Sequence, residues 1–274
     1  MQHKKITFIG AGNMAGSIIS GLVKDGYPAD FICASDPCVE NTQKLSELYA
    51  IQGSQNNTQA ANSSEVIVLA VKPQIMAAVC QTLAEYGIDF TNKLVISIAA
   101  GVSVQRLQSL LGENTAVIRC MPNTPALLQK GMTGLFASKQ VSEQDKSFAG
   151  ELMASVGETL WIEEEAMING ITAAAGSAPA YFFLFMEAMQ AKAMAMGFDE
   201  QQARLLVQQT ALGSAEMVNQ NPDIKLSTLR ENVTSKGGTT AEALRTFNEL
   251  ELSETVAKAM QAAADRGLEM EKLF

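Results

Sequence analysis

The sequence predicts an α/β protein in two parts: an N-terminal doubly wound parallel sheet, then an all-helical C-terminal domain. Three observations predict it. Short β-branched runs alternate with amphipathic runs as far as Ile162. One of them, Val66-Ile-Val-Leu-Ala-Val71, is apolar without alternation, as expected of a central parallel strand covered on both faces. Beyond Glu163-Glu164-Glu165 no convincing strand remains, and Met, Ala, Leu and Gln, good helix formers, dominate.

Taken in order, residues 5–9 read as a strand and 13–24 as a helix. Residues 31–34, 66–71, 94–98 and 117–120 read as further strands, with helices at 39–49 and 74–86 between them. Residues 132–137 and 159–162 extend the sheet. In the second half, Asp199 with Gln202 three residues on forms a capping box that opens a helix reaching Asn219, and Asn221-Pro222 ends it. Ser253 is expected to cap the last long helix. The expected domains are therefore 1–163 and 164–274, a division that suits a chain of 274 residues.

Composition narrows the function classes. With 47% hydrophobic and 18% charged residues the chain can bury a sizeable core. A net charge of −9 argues against a nucleic-acid partner. The four cysteines, Cys33, Cys38, Cys80 and Cys120, form no C-x-x-C pair, and the single histidine is His3, so no metal site is expected. The cysteines read as reduced, buried thiols of a cytosolic protein. No apolar run is long enough for a membrane span, and the N-terminus lacks a signal-peptide pattern, so a cytoplasmic protein without a membrane partner is expected.

The segment Ile9-Gly10-Ala11-Gly12-Asn13-Met14-Ala15 lies between the first strand and the first helix. Gly10 suits the tight turn, Gly12 lets backbone approach a pyrophosphate, and Ala15 permits close helix–strand packing. Free N–H groups at the helix start, with its dipole, favour phosphate. The first half thus reads as a Rossmann-like dinucleotide-binding domain. At the end of the second strand, Asp36 points to the ribose 2′-hydroxyl of NAD, whereas Ser35 can donate to the 2′-phosphate of NADP; equally, Asp36-Pro37 can simply start a turn.

Three more segments sit at strand ends, where ligands of such sheets bind. They are Ala70-Val71-Lys72-Pro73, Ala99-Ala100-Gly101 and Met121-Pro122-Asn123-Thr124-Pro125. Small residues at 99–101 leave room for a flat ring, and the prolines stiffen the third segment.

In the helical half, Val233-Thr-Ser-Lys236-Gly237-Gly238-Thr239-Thr240-Ala-Glu242 carries a second glycine motif. Thr239 and Glu242 read as a Ser/Thr-x-x-Glu capping box, with Thr239 the N-cap and Thr240 the first helical residue. Unpaired N–H groups there make a site for a small carboxylate, and two glycines keep the approach clear. Taken alone, the same segment is also an ordinary capped turn between helices.

This stretch, from Leu226 to Asn248, resembles the signature of the pyrroline-5-carboxylate reductases, and the resemblance extends over nearly the whole chain. It includes the glycine turn, the three strand-end segments with Arg119-Cys120 before the last, and Gly176-Ser177-Ala178-Pro179-Ala180-Tyr181, in which Ala178 stands where glycine is more usual. The resemblance implies reduction of 1-pyrroline-5-carboxylate to proline, with NADPH favoured and NADH also accepted. It implies that Ser35 and Asn57 touch the adenosine side of the cofactor and that Lys72 and Pro73 lie nearer the nicotinamide. By the same implication Gly237, Gly238, Thr239 and Thr240, with Val233, hold the substrate carboxylate, and Thr240 is the catalytic contact to the ring nitrogen. A homo-oligomer, at least a dimer through the helical domain, is implied too. The apolar residues around 173–196 point the same way, since a small helical domain cannot bury them alone.

Two other readings compete. A β-hydroxyacid-type dehydrogenase would use a lysine from the first helix of its second domain, but residues 165–191 contain none. A dinucleotide-binding redox sensor would not need a second anion cradle.

Overall fold

The structure, a computed structural model, describes residues 3–274. The chain divides into two compact units: the residues up to Ser177 together with Ala262–Phe274, and Ala178–Gln261.

The first unit is built on an eight-stranded sheet of order β3-β2-β1-β4-β5-β6-β7-β8. Its first strands and helices are β1 (Ile6–Ile9), α1 (Asn13–Lys24), β2 (Ile32–Ser35), α2 (Val39–Tyr49), β3 (Gln52–Ser54) and α3 (Asn57–Asn62). They continue with β4 (Val66–Leu69), α4 (Pro73–Glu85), β5 (Leu94–Ser97), α5 (Val104–Leu111) and β6 (Ala116–Met121). Then come β7 (Gly131–Ala137), α6 (Glu143–Ala154), β8 (Gly157–Trp161) and α7 (Met167–Ile171). All pairings are parallel except β6 with β7. The order reverses between β1 and β4, so the crevice at their carboxyl ends is where such a sheet binds ligands.

Period-two burial explains the layers. In β4, Val66 and Val68 join a core with α1 and α6 residues such as Ile18, Ile19 and Leu152, while Ile67 and Leu69 join another with Met76, Leu83 and Leu107 of α4 and α5. Both faces are thus covered, as the uninterrupted apolar run anticipated.

The second unit is helical: α8 (Ala178–Ala195), α9 (Glu200–Asn219), α10 (Leu226–Asn232), α11 (Thr239–Glu249) and the first part of α12 (Leu252–Leu273). The Asp199 capping box forms as expected, with both reciprocal bonds made. Ser253, in contrast, is not a cap. The helix starts one residue before it, at Leu252, after Glu251 turns the chain with a φ of 54°.

The sheet unit extends past residue 163. Ile168 and Asn169 of α7 are buried, and Ile171 occupies the space left open by Gly134, which has no side chain. The end of α12 returns to the sheet unit, so the chain crosses between the units twice rather than once at 163/164.

Candidate active site

Gly10 ends β1 with a φ of +98°, and a Cβ there would come within 2.7 Å of the Ala70 carbonyl oxygen. Only glycine satisfies both the left-handed backbone and the close approach of β4. Its N–H donates to the Ser35 carbonyl at 2.7 Å, which stitches the turn to β2. Gly12 is the N-cap of α1 and no side chain caps the helix, so the amides of Asn13 and Met14 at its first positions lack helical partners. A Cβ on Gly12 would meet nothing within 4 Å, so the approach to those amides is open. Ile9, by contrast, is fully buried and can offer a ligand only its backbone. Ala15 is buried, in keeping with close helix–strand packing.

Asp36 has a role that neither a ribose contact nor a simple turn describes fully. One carboxylate oxygen accepts the Ala11 N–H and the other the Cys38 N–H, each at 2.9 Å. It is a strut that ties the glycine turn to the start of α2. Ser35, wholly buried, donates its hydroxyl to Asn57 Oδ1 at 2.7 Å, which brings these two expected adenosine-side residues into contact.

Ala70, Val71, Lys72 and Pro73 follow β4, with Lys72 the N-cap of α4 and Pro73 its first residue. Ala99 and Ala100 follow β5, and Met121 ends β6. All lie at the carboxyl edge of the parallel strands, the edge that carries the glycine turn. Asn123 is held by two bonds of its own: its Nδ2 donates to the Ala175 carbonyl at 3.1 Å and its Oδ1 accepts the Met132 N–H at 2.9 Å. These bonds fix the loop after β6, a role its position in a Pro-flanked turn did not reveal.

The second glycine motif lies in the helical unit. Gly237 has a φ of +71°. The N-cap of α11 is Gly238, not Thr239, and no side chain caps it. The expected capping box does not form. Thr239 is already helical, so Glu242 falls one position too late, and it pairs with Arg245 at 3.0 Å instead. A Cβ on Gly238 would meet the Ser235 hydroxyl, which would have to rotate aside. The amides of Thr239 and Thr240 are left without helical or side-chain partners. Val233 is exposed at the end of α10.

Of the cysteines, Cys80 and Cys120 are buried as expected, but Cys38 is exposed at the N-cap of α2, because the loop after β2 carries it outward. Its Sγ donates to Glu40 at 2.9 Å, and that bond lowers the Glu40 pKa. Burial pushes the Cys80 thiol up to about 12 and raises that of Cys120 as well. Among the described residues, no cluster of three or more His, Cys, Asp or Glu could hold a metal, and no helix is long and apolar enough to cross a membrane.

Sequence reasoning missed one site feature. Arg119 is 1% exposed inside β6, with Nη1 2.9 Å from Glu165 and 2.7 Å from Glu271. A lone arginine in an apolar strand was the available signal.

Comparison with known proteins fits this geometry. Residues 165–270 match the family described as pyrroline-5-carboxylate reductase dimerisation, and residues 5–101 match NADP oxidoreductase coenzyme F420-dependent. A pyrroline-5-carboxylate reductase of Vibrio alginolyticus is 61% identical over the full length of both chains. The solved structure of a pyrroline-5-carboxylate reductase from Coxiella burnetii aligns with a TM-score of 0.92 at 38% identity, covering 98% of this chain and 99% of that one. The pyrroline carboxylate reductase of Plasmodium falciparum, solved with NADP bound, aligns with a TM-score of 0.88 at 29% identity over 99% of each chain. With a dinucleotide crevice in one unit, an uncapped glycine-led helix start in the other and relatives matched end to end, the chain belongs to the pyrroline-5-carboxylate reductase family.

Proposed function

We propose a residue-level account of the reaction of this family, reduction of 1-pyrroline-5-carboxylate to L-proline with NAD(P)H. The bound cofactor supplies a hydride from nicotinamide C4. The chain's residues fit it: the open backbone at Gly12 and the uncapped amides of Asn13 and Met14 suit a pyrophosphate. Asn57 faces the adenosine end, held there by the hydroxyl of Ser35, which is itself wholly buried and so acts only through Asn57. Ala70–Pro73, Ala99, Ala100, Met121 and the loop held by Asn123 frame the nicotinamide end. NADPH is the favoured cofactor, with NADH accepted. Each Asp36 oxygen accepts one backbone amide and keeps a second lone pair that can receive a ribose hydroxyl, which supports acceptance of NADH as well.

The observation that carries the substrate assignment is the bare helix start at Gly238. The amides of Thr239 and Thr240 have no competing cap, so they can hold a carboxylate, with Gly237, Gly238 and Val233 around it. A protonated cyclic imine already accepts hydride well, so the chain needs no strong acid. The Thr240 hydroxyl hydrogen-bonds the ring nitrogen as it becomes an amine, and positioning of two rings supplies the rest.

In this reading the helical unit Ala178–Gln261, rather than the whole of residues 164–274, is the core of the dimerisation and substrate domain. On α8, Phe182, Phe183 and Leu184 are each more than 60% exposed, and Phe185, Met189 and Met194 are exposed as well. A second copy of the chain would cover them, giving at least a dimer. A cytoplasmic location and the lack of a nucleic-acid partner belong to the same reading.

The test is steady-state kinetics with pyrroline-5-carboxylate and either cofactor. Thr240→Ala keeps the backbone amide and should lower kcat/KM by roughly 10-fold to 100-fold, mostly in kcat. Thr239→Ala, at a helical position without a capping role, should change activity and melting little. Full turnover in Thr240→Ala would remove the hydroxyl from the mechanism.

A further inference from the structure

We infer that Arg119 is a positioning residue for hydride transfer: clasped by Glu165 and Glu271, it fixes the loops after β5 and β6. The inference rests on the reading above that those loops frame the nicotinamide.

A guanidinium inside an apolar strand is costly to bury. Its neighbours Val117, Ile118 and Cys120 are wholly buried with it, and its Nε is buried without a partner. Replacing such a buried ion cluster by apolar residues is often neutral or stabilising, so stability alone does not account for it. Its connections do. The Glu165 oxygen that meets Arg119 also accepts the Val104 N–H at 2.8 Å, at the start of α5 and three residues past Gly101. The Glu271 oxygen that meets Arg119 accepts Asn169 Nδ2 of α7 at 3.3 Å.

The residue beside Glu271 completes the frame. Gly101 has a φ of +70°, and a Cβ there would lie 2.6 Å from Met270 Cβ, so α12 is seated directly on the loop after β5. The loop after β6 is tied from the other direction. Asn123 donates to Ala175, in the π-helical turn that follows α7, and Met121 fills the space beside Gly176. One buried charge therefore joins the segments that hold both loops, although the guanidinium makes no hydrogen bond to either. An error of an ångström in a reacting pair can cost about a hundredfold in rate, so such a clasp has a kinetic consequence.

The test uses Arg119→Met, which keeps much of the volume and removes the charge. The two carboxylates it leaves are about a quarter exposed and can hydrate. The kcat with NADPH and pyrroline-5-carboxylate should fall roughly 10-fold to 100-fold. The primary isotope effect with NADPH deuterated at the transferred position should rise, because hydride transfer becomes the slow step. The Kd of 2′,5′-ADP, a probe that fills only the adenosine half, should stay within about twofold of wild type. Glu271→Gln should move the same readouts in the same direction by less, and Arg119→Lys should restore part of the loss. If Arg119→Met fails to fold, Glu271→Gln carries the same three measurements.

A wild-type enzyme that oxidises no NADPH with this substrate would overturn the underlying reading. An active wild type with unchanged kcat and isotope effect in the variants would overturn the positioning role alone. Parallel loss of kcat and of 2′,5′-ADP affinity would do the same, since it marks general loosening of the fold.

Discussion

Replacing Asp36 by Asn separates two accounts of the adenosine end. If its charge merely faces the ribose, the neutral variant should accept a 2′-phosphate better and shift preference toward NADPH. The structure gives a different expectation. Each carboxylate oxygen accepts one backbone N–H at 2.9 Å, from Ala11 of the glycine turn and Cys38 of α2. Asn keeps one acceptor and sets an NH2 group against the other N–H, so one bond is lost. Hydrogen bonds to charged groups contribute about 1.5–3 kcal/mol, and Asp36 is only half-buried, so the lower end applies. A loss of about 1.5 kcal/mol in ordering the pyrophosphate turn is roughly tenfold in affinity. It should fall on both cofactors, because both present the same pyrophosphate. The assay is kcat/KM for NADPH and NADH in wild type and Asp36→Asn. The expected result is a parallel drop with a nearly constant ratio. A variant that uses NADPH better than wild type does, while NADH is unchanged, would refute the strut.

Three other outcomes are expected. Sedimentation should give a dimer or larger species in keeping with the exposed apolar surface of α8, and an active monomer at low concentration would refute the assembly. A maleimide should label the exposed Cys38 of the native protein first, while Cys80 and Cys120 resist until unfolding, as mass mapping would show. The same thiols give an alkaline limb to stability. With the folded pKa of Cys80 raised from 9.0 to about 12 by burial, the stability held by its neutral form is complete below the unfolded value. It is lost as the pH rises toward the folded one, and a melting series should show that decline.

Where periodicity and chemistry agreed, the sequence was legible. The helices at Asn13–Lys24 and Val39–Tyr49 have the expected bounds, and each expected strand of the sheet is present within one or two residues. Strand β3, Gln-Gly-Ser, was missed because it is three residues long and carries none of the β-branched signal. The Thr239–Glu242 box failed because Gly238 takes an extended conformation as well as any Ser or Thr and needs no side chain to begin the helix. A short motif fixes spacing but not which of two adjacent residues leaves the helix first. The roles of Asp36 and Asn123 were hidden for a related reason: both bond to backbone atoms far from them in sequence, and no local pattern announces such a partner. The second crossing was hidden as well, because an amphipathic helix such as α12 does not say which unit its apolar side will meet.

That second crossing bears on the order in which the protein is made. Domains generally fold as units, the N-terminal one first during synthesis. Here the sheet can pair its strands early, yet Gly101 has no Met270 above it and Arg119 has one carboxylate of two until the helical unit has been translated in between. The nascent sheet unit therefore waits, with a half-partnered charge at its centre, for the final turns of a helix that begins in the other unit. Chaperone dependence should be greatest in that interval.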